Sequence, residues 1–354
     1  MAMYGPTNVN GTEKSLGIYW GAHDPNAQTK SFSFSQFNDT ARFGVGQVPE
    51  NAGEGNTLYT IDYSIKIVPF EGDWFDATMI YRDWVLPNSL WTKHGKMEDR
   101  VDIPEWAYNI TTWVNTHWSG NDIFNTTGGN PEAVLERMTN IVERFGLDKD
   151  ALALHWYEWD TLGYVENTDY QDCGSEVTCG FDTHYPEYFP PRTGFNKALK
   201  SIQDLGVRVA PYINGRIFDQ GTKSWTADDK IAQKSASKNN TGFLNITEEN
   251  YSFFNESYGS LAEFSIICPH TEFWQETISD VCDKLVNFYG TDGVYIDQIA
   301  SAPGRPCFDK SHNHTIGGGN HWFEGYTKML DRCRYKIGSN AVVLTEDENE
   351  IYVG

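Results

Sequence analysis

Two acidic residues in this chain each close an apolar run. Asp297 ends "GVYID" and Glu346 ends "AVVLTE". Side chains alternate along a strand, so Tyr295 and Asp297 point one way and Val294 and Ile296 the other. If the aliphatic pair packs on covering helices, the acid faces the opposite side, at the strand's C-terminal end. Glu346 shares its parity with Val342 and Leu344. Two carboxylates delivered by different strands into one hollow are the minimal equipment for hydrolysing a glycosidic bond. One serves as nucleophile or base and the other protonates the leaving oxygen. Glu350 lies in the same acidic segment, "TEDENE", and is an alternative second acid. The plainer readings are a loop cap or ion pair for Asp297 and a solvated acidic loop for the segment.

Other groups fall at the ends of similar runs. "THWSG" supplies His117 and Trp118, and "HWYEWD" supplies Trp156, Tyr157, Trp159 and Asp160. "PYINGR" supplies Tyr212, Asn214 and Arg216, and Gln298 follows Asp297 directly. Amides, acids and Arg can bind sugar hydroxyls while flat aromatic rings stack on the apolar faces of pyranoses. The 12 Trp and the 14% aromatic content fit that use, although much of it must be core. Strand parity leaves the direction of His155 open. "IGGGNHW" lacks the Lys-Ser/Thr ending of a phosphate loop, and a hydroxyl-contacting loop fits it better. No metal site and no cofactor are expected: Cys307, His312, His314 and His321 cluster in sequence but match no zinc spacing. The six cysteines are instead expected as disulfides, Cys173–Cys179, Cys268–Cys307 and Cys282–Cys333.

The elements that must position these residues divide the chain of 354 residues in two. Over residues 1–100, "SLGIYW", "KSFSFSQF", "ARFGVGQV" and "LYTIDYSIKIVPF" alternate with period two, as antiparallel strands of a β-sandwich portion do. "DWFDATMIYRDWV" then has helical spacing and forms a linker helix. Over residues 101–354 the pattern becomes strand, helix, strand, helix. "YNITTWVNTHW", "ALALHWYEW", "VRVAPYING", "GVYID" and "AVVLTE" read as strands. "NPEAVLERMTNIVERFG", "TGFNKALKSIQDLG", "TEFWQETISDVCDKLVNFYG" and "NHWFEGYTKMLDRCRYKIG" read as helices, with residues 218–260 as a polar excursion whose stretch from Asn239 to Asn255 reads as an exposed loop. An open doubly wound sheet would need a Gly-rich phosphate turn near the first strand, and none is present. The expectation is an α/β fold: a (β/α)8 TIM barrel, apparently truncated after about five strands, with its chemistry on the loops after the strands.

The formal net charge of -22 disfavours nucleic acid and anionic membranes as partners. No run of 18 apolar residues is available to span a membrane. The start, "MAMYGPTNVN", does not read as a signal peptide. Nine Asn-x-Ser/Thr acceptors occur, at Asn10, Asn38, Asn109, Asn125, Asn239, Asn245, Asn250, Asn255 and Asn313. Chance would give roughly three. With the even cysteine count, they point to a secreted or secretory-lumen glycoprotein.

Taken in order, "PFEGDWFDATMIYRDWV", "HWYEWD", "FDTHYPEYFPPRTGF", "GVRVAPYINGRIFD", "CPHTEFWQ", "DGVYIDQIA", "PCFDKSHNHTIGGGNHWFEGY" and "LTEDENE" resemble a family of uncharacterised glycoside-hydrolase-like proteins. It is classed as a domain of unknown function and is similar to the glycosidase family containing endo-α-N-acetylgalactosaminidases. The resemblance runs from about residue 58 to 354. It implies a β-sandwich followed by a TIM barrel, a glycan substrate, and a retaining glycosidase with Asp297 as nucleophile and a fifth-strand Glu, most simply Glu346, as acid/base. The family segment there reads more like Thr-Glu-Gly-Asn-Ala-Glu. Here Asp347, Glu348 and Asn349 stand in its middle, which keeps Glu350 open. The other reading is a non-catalytic carbohydrate-binding protein on a glycosidase-like scaffold.

Overall fold

The structure, a computed structural model, describes all residues except 1, 39, 53, 55–57, 97–98, 117–128, 147, 161–183, 240–251, 259–261, 348 and 353–354. Its N-terminal part is two small antiparallel sheets. Strands β1 (Ala2–Val9), β2 (Thr12–His23) and β5 (Ser64–Glu71) form one, in the order β1-β2-β5, and β3 (Lys30–Phe37) with β4 (Thr40–Gln47) form the other. The strand β1 is absent from the sequence reading because its Gly5 and Pro6 obscure the alternation. The turn that pairs it is legible, however: Asn10 and Gly11 both have positive φ, 51° and 83°, as an Asn-Gly hairpin turn requires. Trp20 joins the two sheets, with its ring centroid 5.3 Å from Phe32 and 5.3 Å from Phe43. Helix α1 (Trp74–Asn88) follows, opened by a reciprocal capping box between Asp73 and Asp76.

After the short helix α2 (Glu105–Asn109), which takes the first residues of the expected first strand, come five parallel strands. They are β6 (Thr112–Asn115), β7 (Leu152–Trp156), β8 (Arg208–Asn214), β14 (Gly293–Asp297) and β15 (Val342–Thr345), adjacent in chain order. The described residues contain no closed barrel. The intervening helices are α3 (Pro131–Phe145), α4 (Phe195–Asp204), α7 (Glu272–Asp283), which runs on into a π-turn over Lys284–Phe288, and α8 (His321–Ile337). Helix α3 starts where its sequence dictates. Asn130 accepts from the N–H groups of Glu132 and Ala133, Pro131 occupies the first turn, and Gly146 closes it at φ 59°.

Most of the stretch expected as an exposed loop, residues 240–251, lies outside the described residues, but the chain on either side of it is built into short elements. The excursion carries β9 (Ile217–Asp219), α5 (Lys223–Thr226), α6 (Ile231–Ser235), β10 (Lys238–Asn239), β11 (Ser252–Phe253), β12 (Asn255–Glu256) and β13 (Phe264–Ile266). Its β12-β13-β9 sheet buries Phe218, Phe264 and Ile266 completely. Polar composition hid it because each strand is only two or three residues long.

The parallel strands sort their side chains by parity. Leu152, Leu154, Trp156, Val209, Ile213, Val294 and Ile296 are all fully buried and belong to one core with the helix residues Met138, Phe195, Trp274 and Met329. The opposite face presents His155, Tyr212, Asn214, Tyr295 and Asp297. Register brings Tyr295 beside Tyr212 and Leu344, and Asp297 beside Asn214. Just before β14, Asp292 accepts from the Val209 N–H at 3.0 Å and from Arg208 at 2.8 Å, which ties the foot of this strand to its neighbour.

Candidate functional site

Asp297 lies half-buried at the C-terminal end of strand β14, between β15 and β8. Its Oδ2 accepts from the Tyr212 hydroxyl at 2.7 Å and from the Asn214 amide at 3.3 Å, both delivered by the adjacent β8. Asn214 is itself fixed, because its Oδ1 accepts from the N–H groups of Arg216 and Ile217 at 2.9 and 3.1 Å. That turn needs a glycine between them. A Cβ on Gly215 would stand 2.5 Å from Ile296 and 2.8 Å from Ile299.

Glu346 follows β15. Its carboxylate takes a short hydrogen bond from Ser301, which lies on the loop after Asp297. Burial raises the pKa of the Tyr295 phenol most, and the charges of Asp297, Glu346 and Asp347 raise it further. Glu350 is placed differently, in a short 3-10 helix, where Tyr81 of α1 donates to it. It also lines a cleft of about 710 Å3 between the first sheet and the loops after β14 and β15. Tyr19, Trp74, Tyr81, Trp322 and Tyr352 give that cleft an aromatic wall, but neither Asp297 nor Tyr212 reaches it.

Several residues expected to touch substrate are committed elsewhere. Trp156 faces the helices, is fully buried and donates to the Gly129 carbonyl at 2.9 Å. Trp159 is 1% exposed and donates to the Tyr212 carbonyl at 2.7 Å, so it supports the site from beneath. Arg216 has no exposed surface and grips Glu256 with both terminal nitrogens, at 2.5 and 3.0 Å. Their strand-end positions were read correctly, but aromatic and guanidinium groups there fill the core as readily as a cleft. Tyr157 does belong to the same face as Asp297, stacked 4.4 Å from Tyr212. Asp160 pairs with Pro191 in an isolated bridge, half-buried. His117 and Trp118 lie outside the described residues.

Apart from Gln298, sequence reasoning missed the supporting shell. Gln298, at φ 67°, donates to the Tyr258 hydroxyl at 2.8 Å, and Tyr258 donates to Glu256 at 2.5 Å. Burial first, then the hydrogen bond to Glu256, pushes the Tyr258 phenol up to about 12. Arg305 adds a second cation to Glu256 at 3.4 Å. Tyr258 and Arg305 lie on no regular element and Glu256 on a two-residue strand, so no pattern marks them. His155 points into the same face, 3.8 Å between ring centroids from Tyr295, and burial drives its pKa down to about 3.

The cysteines also depart from expectation. Cys268, Cys282, Cys307 and Cys333 are free buried thiols, so the expected Cys268–Cys307 and Cys282–Cys333 disulfides are not formed. Cys173 and Cys179 lie outside the described residues. Cys307, His312 and His314, which match no zinc spacing along the chain, converge in space with Cys268.

A sequence model for a domain of unknown function, DUF6259, matches residues 59–172 and 177–354. The chain belongs to this family. A Monosiga brevicollis protein named "Putative glycoside hydrolase 22789" is 35% identical to it over 342 residues, 95% of this chain and 28% of the relative. A Bacteroides thetaiotaomicron protein named "Putative glycoside hydrolase" is 26% identical over 338 residues, 95% of this chain and 44% of the relative. The DUF6259 chain thus spans less than half the length of either curated relative. Among solved structures, the α-N-acetylgalactosaminidase NagBb from Bifidobacterium bifidum superposes with TM-scores of 0.64 in complex with Gal-NHAc-DNJ and 0.65 ligand-free. Each superposition covers 96% of this chain and about half of NagBb, at 12% and 13% identity. The likeness is one of fold, and it extends over both the antiparallel sheets and the parallel one.

Proposed function

We propose that this DUF6259 chain carries the central part of a glycosidase active site, and that its five parallel strands belong to a (β/α)8 barrel. In this reading Asp297 is the nucleophile and Glu346 the acid/base of a retaining hydrolysis. The observation that carries it is the hydrogen bonding of the two acids: Asp297 is oriented by Tyr212 and Asn214, and Glu346 is held by Ser301 from the loop that Asp297 begins. Hydrogen bonds to a carboxylate stabilise its ionised form, as a nucleophile needs. A retaining mechanism requires the two carboxyl groups about 5–5.5 Å apart.

The names of the relatives support a hydrolase acting on glycans, and the name of the solved neighbour favours an α-linked N-acetylhexosamine among the sugars to try. The nine Asn-x-Ser/Thr acceptors support a secretory route. The test is turnover of aryl α-glycosides by the complete natural protein that carries this sequence, with the first-formed product anomer followed by NMR. Asp297→Asn should abolish turnover while leaving the melting temperature in place. Retained turnover removes Asp297 from the mechanism. Sugar binding without turnover in the unmutated protein would favour the carbohydrate-binding reading instead.

A further inference from the structure

Away from the acids, four N and S donors, three of them on buried residues and the fourth on half-buried His314, meet where two βα loops touch. Cys268 lies just after β13, in the excursion that follows β8. Cys307, His312 and His314 lie in the 298–320 loop that follows β14. One ligand atom from each residue falls within 4.8 Å of all the others. Cys307 Sγ stands 3.3 Å from His312 Nδ1, and Cys268 Sγ stands 3.4 Å from His314 Nε2. A tetrahedral zinc ion, with Zn–S of about 2.3 Å and Zn–N of about 2.0–2.1 Å, sets sulfur and nitrogen about 3.6 Å apart.

The imidazoles are already in the ligating tautomer. His312 Nε2 meets the Lys234 carbonyl at 2.6 Å, and His314 Nδ1 meets the Thr315 carbonyl at 2.8 Å. A carbonyl can only accept, so those nitrogens carry the protons. His312 Nδ1 and His314 Nε2 are left with lone pairs directed at the two sulfurs. This outer shell of backbone acceptors is the arrangement that orients histidines on metals. The cysteines are fully buried, His312 is 5% exposed, and no disulfide joins the sulfurs. Two thiolates also balance a divalent ion, so the filled site would bury no net charge.

We propose that Cys268, Cys307, His312 and His314 form a structural zinc site. The donor set selects zinc over calcium or magnesium, which take oxygen ligands. Four protein ligands leave no open position, so the ion does no chemistry on substrate. On binding, each cysteine releases its thiol proton to solvent and donates the resulting thiolate pair to the metal. The ion would clamp the 298–320 loop to the β13 end of the neighbouring excursion. That loop is otherwise irregular for most of its length, and it carries Ser301 against Glu346 and Arg305 against Glu256. The site stands on its own geometry and is independent of the catalytic reading.

The full-length protein, purified without chelator or an immobilised-metal column, should contain about one zinc per chain by elemental mass spectrometry. Exchange into Co2+ should give the intense visible and near-ultraviolet bands of a tetrahedral thiolate site. Cys268→Ser and His314→Ala should each weaken metal affinity at least about 100-fold. Cys282→Ser, a buried thiol outside the cluster, should leave stoichiometry and spectrum unchanged. Should a variant fail to fold, the stoichiometry and Co2+ spectrum of the unmutated protein still decide the matter. Absence of bound zinc together with a featureless Co2+ titration overturns the proposal, and so does a Cys268–Cys307 disulfide found by peptide mapping under non-reducing conditions.

Discussion

The Tyr212 hydroxyl donates to Asp297 Oδ2 at 2.7 Å across two adjacent parallel strands. Register determines this contact. Tyr295 pairs with Tyr212 and Asp297 with Asn214, so an acid one step beyond Tyr295 meets both a phenol and an amide from β8. In the proposed mechanism Tyr212 positions the nucleophile and favours its ionised state. Removing the hydroxyl with Tyr212→Phe leaves the stacked ring in place. A hydrogen bond to a charged group contributes about 1.5–3 kcal/mol. The expected result is a fall in kcat/KM of about 10- to 100-fold with little change in thermal stability, the steady-state kinetics and a melting curve being read together.

Buried charge gives a second prediction. Arg216 is wholly enclosed and relies on Glu256 for its neutralisation. Glu256→Gln strands that cation, and breaking such a pair costs about 3–5 kcal/mol. Denaturant unfolding should show a loss of about 3 kcal/mol, toward the low end because Glu256 is partly exposed and Arg216 keeps one hydrogen bond to the amide. The double change Arg216→Met with Glu256→Leu should lose less than Glu256→Gln alone. A fully stable Glu256→Gln protein would show that water, not Glu256, satisfies the guanidinium.

His155 supplies the pH dependence. Burial holds its folded pKa at about 3 against an ordinary 6.5, and its Nε2 has no hydrogen-bond partner among the described residues. As pH falls below about 6.5 the unfolded chain takes up the proton first. The stability present above that pH is then lost progressively toward pH 3. At 1.36 kcal/mol per unit the whole span is about 5 kcal/mol. His155→Phe keeps a ring against Tyr295 and removes the titration. Its melting temperature should fall less steeply than that of the unmutated protein between pH 7 and pH 4.5. Parallel slopes would mean that His155 is hydrated or already partnered in solution.

What the sequence disclosed follows the length and regularity of its signals. "GVYID" and "KSFSFSQF" coincide residue for residue with β14 and β3, and α3 begins and ends at its own Asn130 and Gly146. These segments have clean periodicity and local punctuation, which need no tertiary information. The direction of Asp297 came from the same alternation. The assignment of Trp156, Trp159 and Arg216 to substrate failed because position along a strand does not say whether a cavity or a core lies beyond. Trp156 has the parity of the helix-facing residues, a cue that was present but outweighed by the attraction of an aromatic cluster. Arg216 could not be placed without Glu256, which lies 40 residues away in a two-residue strand. Cys268 lies 46 residues from His314, so neither a spacing rule nor a guessed disulfide could describe their encounter.

The choice between the two closing acids yields the last prediction. Glu346 is held by Ser301 from the loop after Asp297, whereas Glu350 is held by Tyr81 of α1. The hydrogen bonds therefore tie Glu346 to the loop that follows Asp297 and Glu350 to helix α1. General acid catalysis contributes about 10^2- to 10^4-fold. Glu346→Gln should lower turnover of a substrate with a poor leaving group by that amount. It should lower turnover much less for an aryl glycoside whose leaving group needs no proton. Glu350→Gln should change both substrates alike and only slightly, and should instead shift the melting temperature through loss of the Tyr81 contact. If the leaving-group dependence appears in Glu350→Gln and not in Glu346→Gln, the acid/base role passes to Glu350, and the 710 Å3 cleft it lines becomes the place to look for the bound sugar.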